Sequence, residues 1–382
     1  MKGPSYPIWA LRIATMKGTI GPEEILRLPG GDPISFAQLL DDLKTRSVIF
    51  VGEIHDQIEH HQIQLKILKS LIQSGSNAVV AMEMFERSMQ PTLDRWSQGL
   101  LTEEQFLKET RWETSWGTDY NLYKGILEEI RDRHLKVLGL NIERDLVRKV
   151  AQNGIEGLSP EDKKGLPEMD LTDQSHRAYI ASVYKSHEGG SAKDFQNFYQ
   201  AQCLWDEAMA ETLSEFLKSS EGEGRTVLVF AGNGHVVFDF GIPKRFYRRT
   251  SIPYKTVVLK AWKEKVDEEL TFAETSSPLA NFLWITKPTP SEKKRPRMGI
   301  ILKEREDPRG IWIERVIPES PAEKAGLLPG DQFIAIEGKE IAKVKDIHDA
   351  LSGKGWGKEI RVVVIREGIR KEITVALPPF KE

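Results

Sequence analysis

Several absences narrow the function of this chain before any motif is considered. There is one cysteine, Cys203, in 382 residues, which excludes an internal disulfide and any zinc site built on several thiolates. There is no apolar run of about 18 residues, so no membrane-spanning helix is expected. Neither charge dominates: 54 basic residues against 57 acidic ones leave a net −3. A general nucleic-acid binder would carry a strong basic excess, so no nucleic-acid partner is expected. No Gly-x-Ser-x-Gly elbow follows a strand-like run and no His-Glu-x-x-His helix occurs. Gly232-Asn-Gly lacks the Lys-Ser/Thr that completes a phosphate loop. The first residues carry Lys2 but then Pro4, Pro7 and Arg12, which interrupt the apolar core a signal peptide needs.

What is present concentrates at strand ends. Val48–Val51 is a short apolar run ended by Gly52, and Glu53, His55, His60 and His61 follow within ten residues. Such a run reads as a buried strand reaching its carboxyl end, where open α/β sheets place their ligands. Further strands are predicted at Asn77–Met82, Val137–Leu140, Thr226–Phe230 and Thr256–Leu259, separated by helical patterns. The second delivers Glu83, the third Asn141, and the fourth leads into Gly232-Asn-Gly-His235. If the strands are parallel, these groups meet on one rim. Met1–Asp32 reads as irregular, with a turn at 28–33, and Ser35 as the cap of a helix through Leu43.

Two helices support the convergence. In the helix after His55, the apolar arc from Ile63 to Ile72 includes His60 and His61 in its first turn, which turns both toward the core. In Phe198–Leu217 the inward face carries Phe198, Ala201, Trp205, Met209, Leu213 and Phe216, with Gln202 and Asp206 toward the same side. Buried polar groups need partners, and the surroundings of a ligand site are one source of them. Trp112, Trp116, Tyr120 and Tyr123 form an aromatic patch that either lines a flat ligand such as a porphyrin or packs in the core. Cys203 reads as a small buried hydrophobe. For His134, His176, His187 and His348, surface or packing roles suffice.

The segment 286–297 holds three prolines and five basic residues with no large apolar one, the composition of an exposed linker. Beyond it, short strands at Met298–Leu302, Ile311–Val316, Gln332–Ile336, Glu359–Arg366 and Arg370–Leu377, with a helix at Val344–Leu351, make a compact unit. Its Ser320-Pro-Ala-Glu-Lys-Ala-Gly-Leu-Leu-Pro-Gly-Asp-Gln-Phe-Ile-Ala-Ile-Glu-Gly338 resembles the core signature of a bacterial, protease-associated PDZ domain. That resemblance implies capture of an extended peptide, usually a free C-terminus, by strand addition. The backbone at Met298, Gly299 and Ile300 would then form the carboxylate-binding turn, and Ile347 and Leu351 would line the groove. No Gly-rich pair precedes Gly299, so the carboxylate cradle matches only in part.

The preceding region resembles the ChaN family at several points in order: Val51-Gly-Glu-Ile-His-Asp56 with His60-His61, Glu83, Leu140-Asn-Ile-Glu-Arg144, Ala201-Gln-Cys-Leu-Trp-Asp-Glu-Ala-Met-Ala210, and Gly232-Asn-Gly-His235. That family comprises iron-regulated, haem-binding bacterial proteins, commonly lipoproteins, and belongs to a superfamily with the Tiki metalloproteases and erythromycin esterases. Beside that resemblance, the residue chemistry allows a haem or iron site at His55, His60 and His61, with histidine and also tyrosine as candidate iron ligands and Trp112, Trp116, Gln202 and Asp206 around it. By the Tiki likeness it also permits a divalent ion (Mn, Co or Zn) on His55, Glu83 and His235, with Glu53 or Glu83 as catalytic base of a hydrolase. An extracytoplasmic location, periplasmic or membrane-anchored, follows from the resemblance; a cytoplasmic one is the alternative. Haem sites can form between subunits, so a homo-oligomer is among the expectations.

The expected architecture is α/β, a mostly parallel sheet flanked by helices (residues 1–285), a linker (286–297) and a small β-rich PDZ domain (298–382). The leading expectation is a haem- or iron-binding protein whose PDZ domain recruits a protein or peptide terminus. The alternatives are a metal-dependent hydrolase or peptidase and a non-catalytic PDZ scaffold.

Overall fold

Continuous apolar runs such as Val48-Ile-Phe-Val51 suit strands covered on both faces. In the computed structural model, which describes residues 20–185, 192–262, 277–287, 298–306, 309–318, 320–341, 346–347 and 357–377, that is their place. The chain divides into two compact units, Met1–Thr289 and Pro290–Glu382.

In the first unit, β1 (Ile25–Arg27) and β2 (Asp32–Ile34) precede helix α1 (Phe36–Leu43), β3 (Val48–Glu53) and α2 (Ile58–Gln73). Then come β4 (Ala78–Glu86), the short α3 (Trp112–Ser115), α4 (Tyr120–Asp132) and β5 (Val137–Asn141). After α5 (Gln174–Lys185) and the long α6 (Ala192–Lys218) follow β6 (Thr226–Gly232), α7 (Ile242–Thr250), β7 (Tyr254–Ala261) and β8 (Phe282–Thr286). The eight strands lie in the order β2-β1-β8-β7-β3-β6-β4-β5. From β8 to β5 every neighbouring pair is parallel, and β1 and β2 add an antiparallel edge. Parallel pairing sends the carboxyl ends of β3, β4, β5 and β6 to one rim.

Successive residues of each strand feed opposite cores. Val48, Phe50, Val79, Ala81, Val227 and Val229 pack on one face with α6. Ile49, Val51, Val80, Met82, Leu228 and Phe230 pack on the other with α2 and α4. Ser35 caps α1, and Gln38 closes the capping box. Two expectations are corrected. The stretch before Asp32 is not wholly irregular, since Ile25–Arg27 pairs with both Asp32–Ile34 and β8. Thr286, expected in the linker, is the last residue of β8 and 1% exposed.

The second unit is an antiparallel sheet ordered β14-β13-β11-β10-β9, made of β9 (Ile300–Glu306), β10 (Arg309–Val316), β11 (Gln332–Ile336), β13 (Glu359–Arg366) and β14 (Ile369–Ala376). A two-residue β12 (Lys339–Glu340) pairs with β11. The one-turn helix α8 (Pro321–Lys324) starts at Ser320, whose hydroxyl accepts from the Glu323 N–H. Of the helix expected at Val344–Leu351, residues 346–347 are helical and the remainder lies outside the described residues.

Candidate functional site

Four strand ends and the inner face of α6 build the site. Glu53, the last residue of β3, is 1% exposed. The Tyr123 hydroxyl donates to its Oε1 at 2.6 Å, His55 Nδ1 lies 2.9 Å from the same oxygen, and His61 Nδ1 lies 3.1 Å from Oε2. Burial by itself would raise the Glu53 pKa, but hydrogen bonds and charge from His55 and His61 outweigh it and hold the carboxyl well below its ordinary range. Burial opposes the charge on both histidines, and Glu53 reverses that in each, so both are raised. His61 Nε2 donates to the His55 carbonyl at 3.1 Å, which makes it a buried brace. His55 remains 39% exposed at its side chain, and among the described residues its Nε2 has no hydrogen-bond partner.

His60 is one residue from His61 yet points elsewhere. Its Nδ1 accepts from the Ile54 N–H at 2.9 Å, and its Nε2 faces Thr286 Oγ1 at 3.3 Å. Burial, helped by the charge on His61, lowers its pKa to about 4. The ring is therefore a neutral structural link to β8, outside the cluster it was expected to join.

Across the rim, Glu83 from β4 accepts the Gly232 N–H at 2.6 Å, and its Oε1 lies 3.4 Å from His235 Nε2. His235 Nδ1 is 2.7 Å from Asp206 Oδ1 and 3.1 Å from Gln202 Nε2. Burial opposes a cationic His235, but Glu83 and Asp206 on either side push its pKa up to about 10. Burial likewise opposes the Glu83 carboxylate, and His235 outweighs it, so that pKa is lowered. The two halves meet at Gly232: a Cβ there would lie 3.0 Å from His55 Nε2 and 3.5 Å from Glu83 Oε2. Only a residue without a side chain lets His55 settle over this turn.

His55, Glu83 and His235 are thus brought together, as the sequence suggested, but both His235 nitrogens are engaged by carboxylates. Among the described residues no three His, Cys, Asp or Glu side chains are grouped to hold a metal ion.

The aromatic patch divides. Trp116 is half-buried and stands edge-on to His55 with ring centroids 4.8 Å apart. Trp112 is 2% exposed, donates from Nε1 to the Thr118 carbonyl at 2.7 Å, and packs against Phe85, Tyr120 and Tyr123. It is a core residue, and its expected place beside a ligand is corrected. Trp205, half-buried on α6, stands edge-on to His235 at 6.1 Å.

Tyr123, expected only as part of the aromatic patch, reaches Glu53 from 70 positions away, and two further partners were not expected at the site. His176, given a surface or packing role, is fully buried beneath the rim, with Nε2 3.7 Å from Asp206 Oδ2. Arg245 joins it, with Nη2 3.3 Å from His176 Nδ1 and 3.2 Å from Cys203 Sγ. Cys203 is buried as expected, and burial pushes its thiol up to about 12. His134 Nδ1 meets the Ser97 carbonyl at 3.0 Å, a packing role. His187, His348 and Leu351 lie outside the described residues.

In the second unit, Gly299 has φ +82°, and a Cβ there would lie 2.3 Å from Ser320 Cβ. The turn is pinned by Ala322 N–H to Met298 O and Ile317 N–H to Gly299 O, each 2.9 Å. Met298 and Ile347 are buried. Ile300 and Leu302 pack partly against the same core. β9 ends the sheet and among the described residues pairs with β10 alone.

These features define an α/β protein with a histidine–carboxylate site on its strand-end rim, followed by a small antiparallel module with an open edge. Residues 39–246, over half of the chain, match the family described as haem-binding uptake, Tiki superfamily, ChaN, and the chain belongs to that family. Residues 296–377 match the PDZ domain. A structure of ChaN of Campylobacter jejuni, described as cofacial haem binding, superposes with a TM-score of 0.53 at 20% identity, covering 68% of this chain and 95% of that one. At that identity the likeness is one of fold. Protein RETICULATA-RELATED 5, chloroplastic, of Arabidopsis thaliana is 23% identical over 292 residues, 69% of this chain and 38% of the relative. Serine protease HTRA1 of Xenopus tropicalis is 38% identical over 74 residues, 19% of this chain. The chain spans 15 to 17% of the length of several such curated relatives.

Proposed function

We propose that the first unit binds haem at the strand-end rim with His55 Nε2 as an iron ligand, and that the PDZ domain holds a peptide terminus. One observation carries the haem reading. His55 Nδ1 is tied to the buried Glu53 carboxylate, and Nε2 is left free on a half-exposed ring beside Trp116. A histidine that ligates a metal through one nitrogen commonly gives the other to a carboxylate, which fixes the ring and strengthens the donor. The donor set therefore fits. Haem supplies iron with coordination positions for imidazole. Glu53 orients His55, His61 and Tyr123 hold Glu53, and Trp116 offers an apolar edge.

Haem titration of the full chain tests this reading. Saturable binding with a Soret band is expected, lost in His55→Ala and kept in His60→Ala, because His60 faces β8. Binding unaffected by His55→Ala overturns the assignment.

For the PDZ domain, the open edge of β9 and the turn at Met298-Gly299-Ile300 support strand addition by an apolar C-terminus. Peptides with a free C-terminus should bind and their amidated forms should not. Gly299→Ala, at once strained and clashing with Ser320, should abolish binding.

A further inference from the structure

The Tyr123 hydroxyl is buried, and its proton points at a carboxylate oxygen 2.6 Å away. That is within the reach required for direct proton transfer. A phenol gives up an electron readily only if its proton has somewhere to go, and Glu53 Oε1 is that place. The Tyr123 ring also touches a path to the surface. Its centroid is 6.4 Å from Trp116, whose ring is 4.8 Å from His55. On the inner side it meets Trp112 at 5.4 Å and His61 at 4.1 Å. Three other tyrosines do not combine a carboxylate partner with a place at this rim. Tyr120 is buried with no partner for its hydroxyl. Tyr199 faces the Asp173 carbonyl at 3.3 Å and the Cys203 thiol, with no carboxylate as partner. Tyr254 does meet a buried carboxyl group, that of Asp239, but it lies against Phe50 and Tyr247, away from the rim.

We propose that Tyr123 is a redox-active tyrosine that donates one electron through Trp116 to an oxidant seated beside His55, while its proton passes to Glu53. In the step, the Tyr123 O–H bond breaks, Glu53 becomes a carboxylic acid, and the phenol becomes a neutral tyrosyl radical. The oxidant is reduced by one electron. An oxidised metalloporphyrin is the class of oxidant that the rim would hold, and in that respect the proposal rests on the haem reading. The electron- and proton-transfer geometry belongs to the protein alone.

The test therefore uses the full-length, haem-free chain and a photogenerated one-electron oxidant, a ruthenium(III) polypyridyl complex. A flash should produce the absorption and electron paramagnetic resonance signal of a tyrosyl radical. Tyr123→Phe, which keeps the ring packing, should remove that signal. Glu53→Gln should slow its formation about a hundredfold, within the range general-base catalysis contributes. Should Glu53→Gln fail to fold, Trp116→Phe, which leaves Tyr123 and Glu53 in place, should lower the radical yield. No tyrosyl signal in the native chain, or an undiminished one in Tyr123→Phe, overturns the proposal. Because no haem is present, that failure is separate from failure of the haem titration.

Discussion

Gly232→Ala probes the join between the two halves of the rim. Gly232 sits at φ −58°, a backbone conformation alanine adopts without strain, so the substitution acts through space alone. The new methyl would lie 2.8 Å from His55 Cε1 and 3.0 Å from Nε2, while its 3.5 Å approach to Glu83 Oε2 is ordinary contact. The yielding group is His55, a half-exposed ring at the end of a side chain, and its displacement breaks the 2.9 Å link to Glu53. Hydrogen bonds to a charged group contribute about 1.5–3 kcal/mol, and partial exposure of His55 brings the cost to folding down to about 1 kcal/mol. Loss of the group that orients a ligand histidine costs more in binding, about 10- to 100-fold in affinity. Denaturant unfolding and haem titration of the same preparation measure both. Haem binding by Gly232→Ala as tight as that of the native chain, or unfolding easier by several kcal/mol, would rule out His55 as the group that yields.

The His235 pKa, about 10 in the fold against 6.5 as a free side chain, predicts a stability contribution fully present below pH 6.5 and lost as pH rises toward 10. The native chain should lose stability across that window more steeply than His235→Gln, by up to about 1.4 kcal/mol per pH unit, in unfolding curves taken at several pH values. Glu53 works in the opposite sense: its lowered pKa gives stability that is held above its ordinary value of 4.5 and lost as pH falls. Glu53→Gln should flatten the acid limb of the same curves. In the PDZ domain, Arg366 makes two contacts to the 1% exposed Asp331, at 2.7 and 2.8 Å. Arg366→Ala leaves that carboxylate facing a vacated partner and should cost about 2 kcal/mol, read as faster amide exchange in β11 and β13.

The sequence alone determined the strands and what stands at their ends. Short apolar runs closed by Gly52-Glu53, Glu83, Asn141 and Gly232 identify a layered sheet, because burial on both faces demands an uninterrupted apolar stretch. The PDZ signature from Ser320 to Gly338 was equally local, since caps and turns impose their residues over a few positions. Tertiary structure decided what those groups touch. His60 and His61 share one helical arc, yet a single residue's rotation on α2 sends one ring to Thr286 of β8 and the other to Glu53. Tyr123 and Glu53 are brought together by the packing of α4 over β3, and His176, Asp206 and Arg245 by the packing of α5, α6 and α7. β1 and β8 carry weak local signals and gain their order by pairing with each other. A sequence pattern records which face of an element is buried. The direction of each side chain, and with it the proton and charge on every ring at this rim, depends on the partner across the interface.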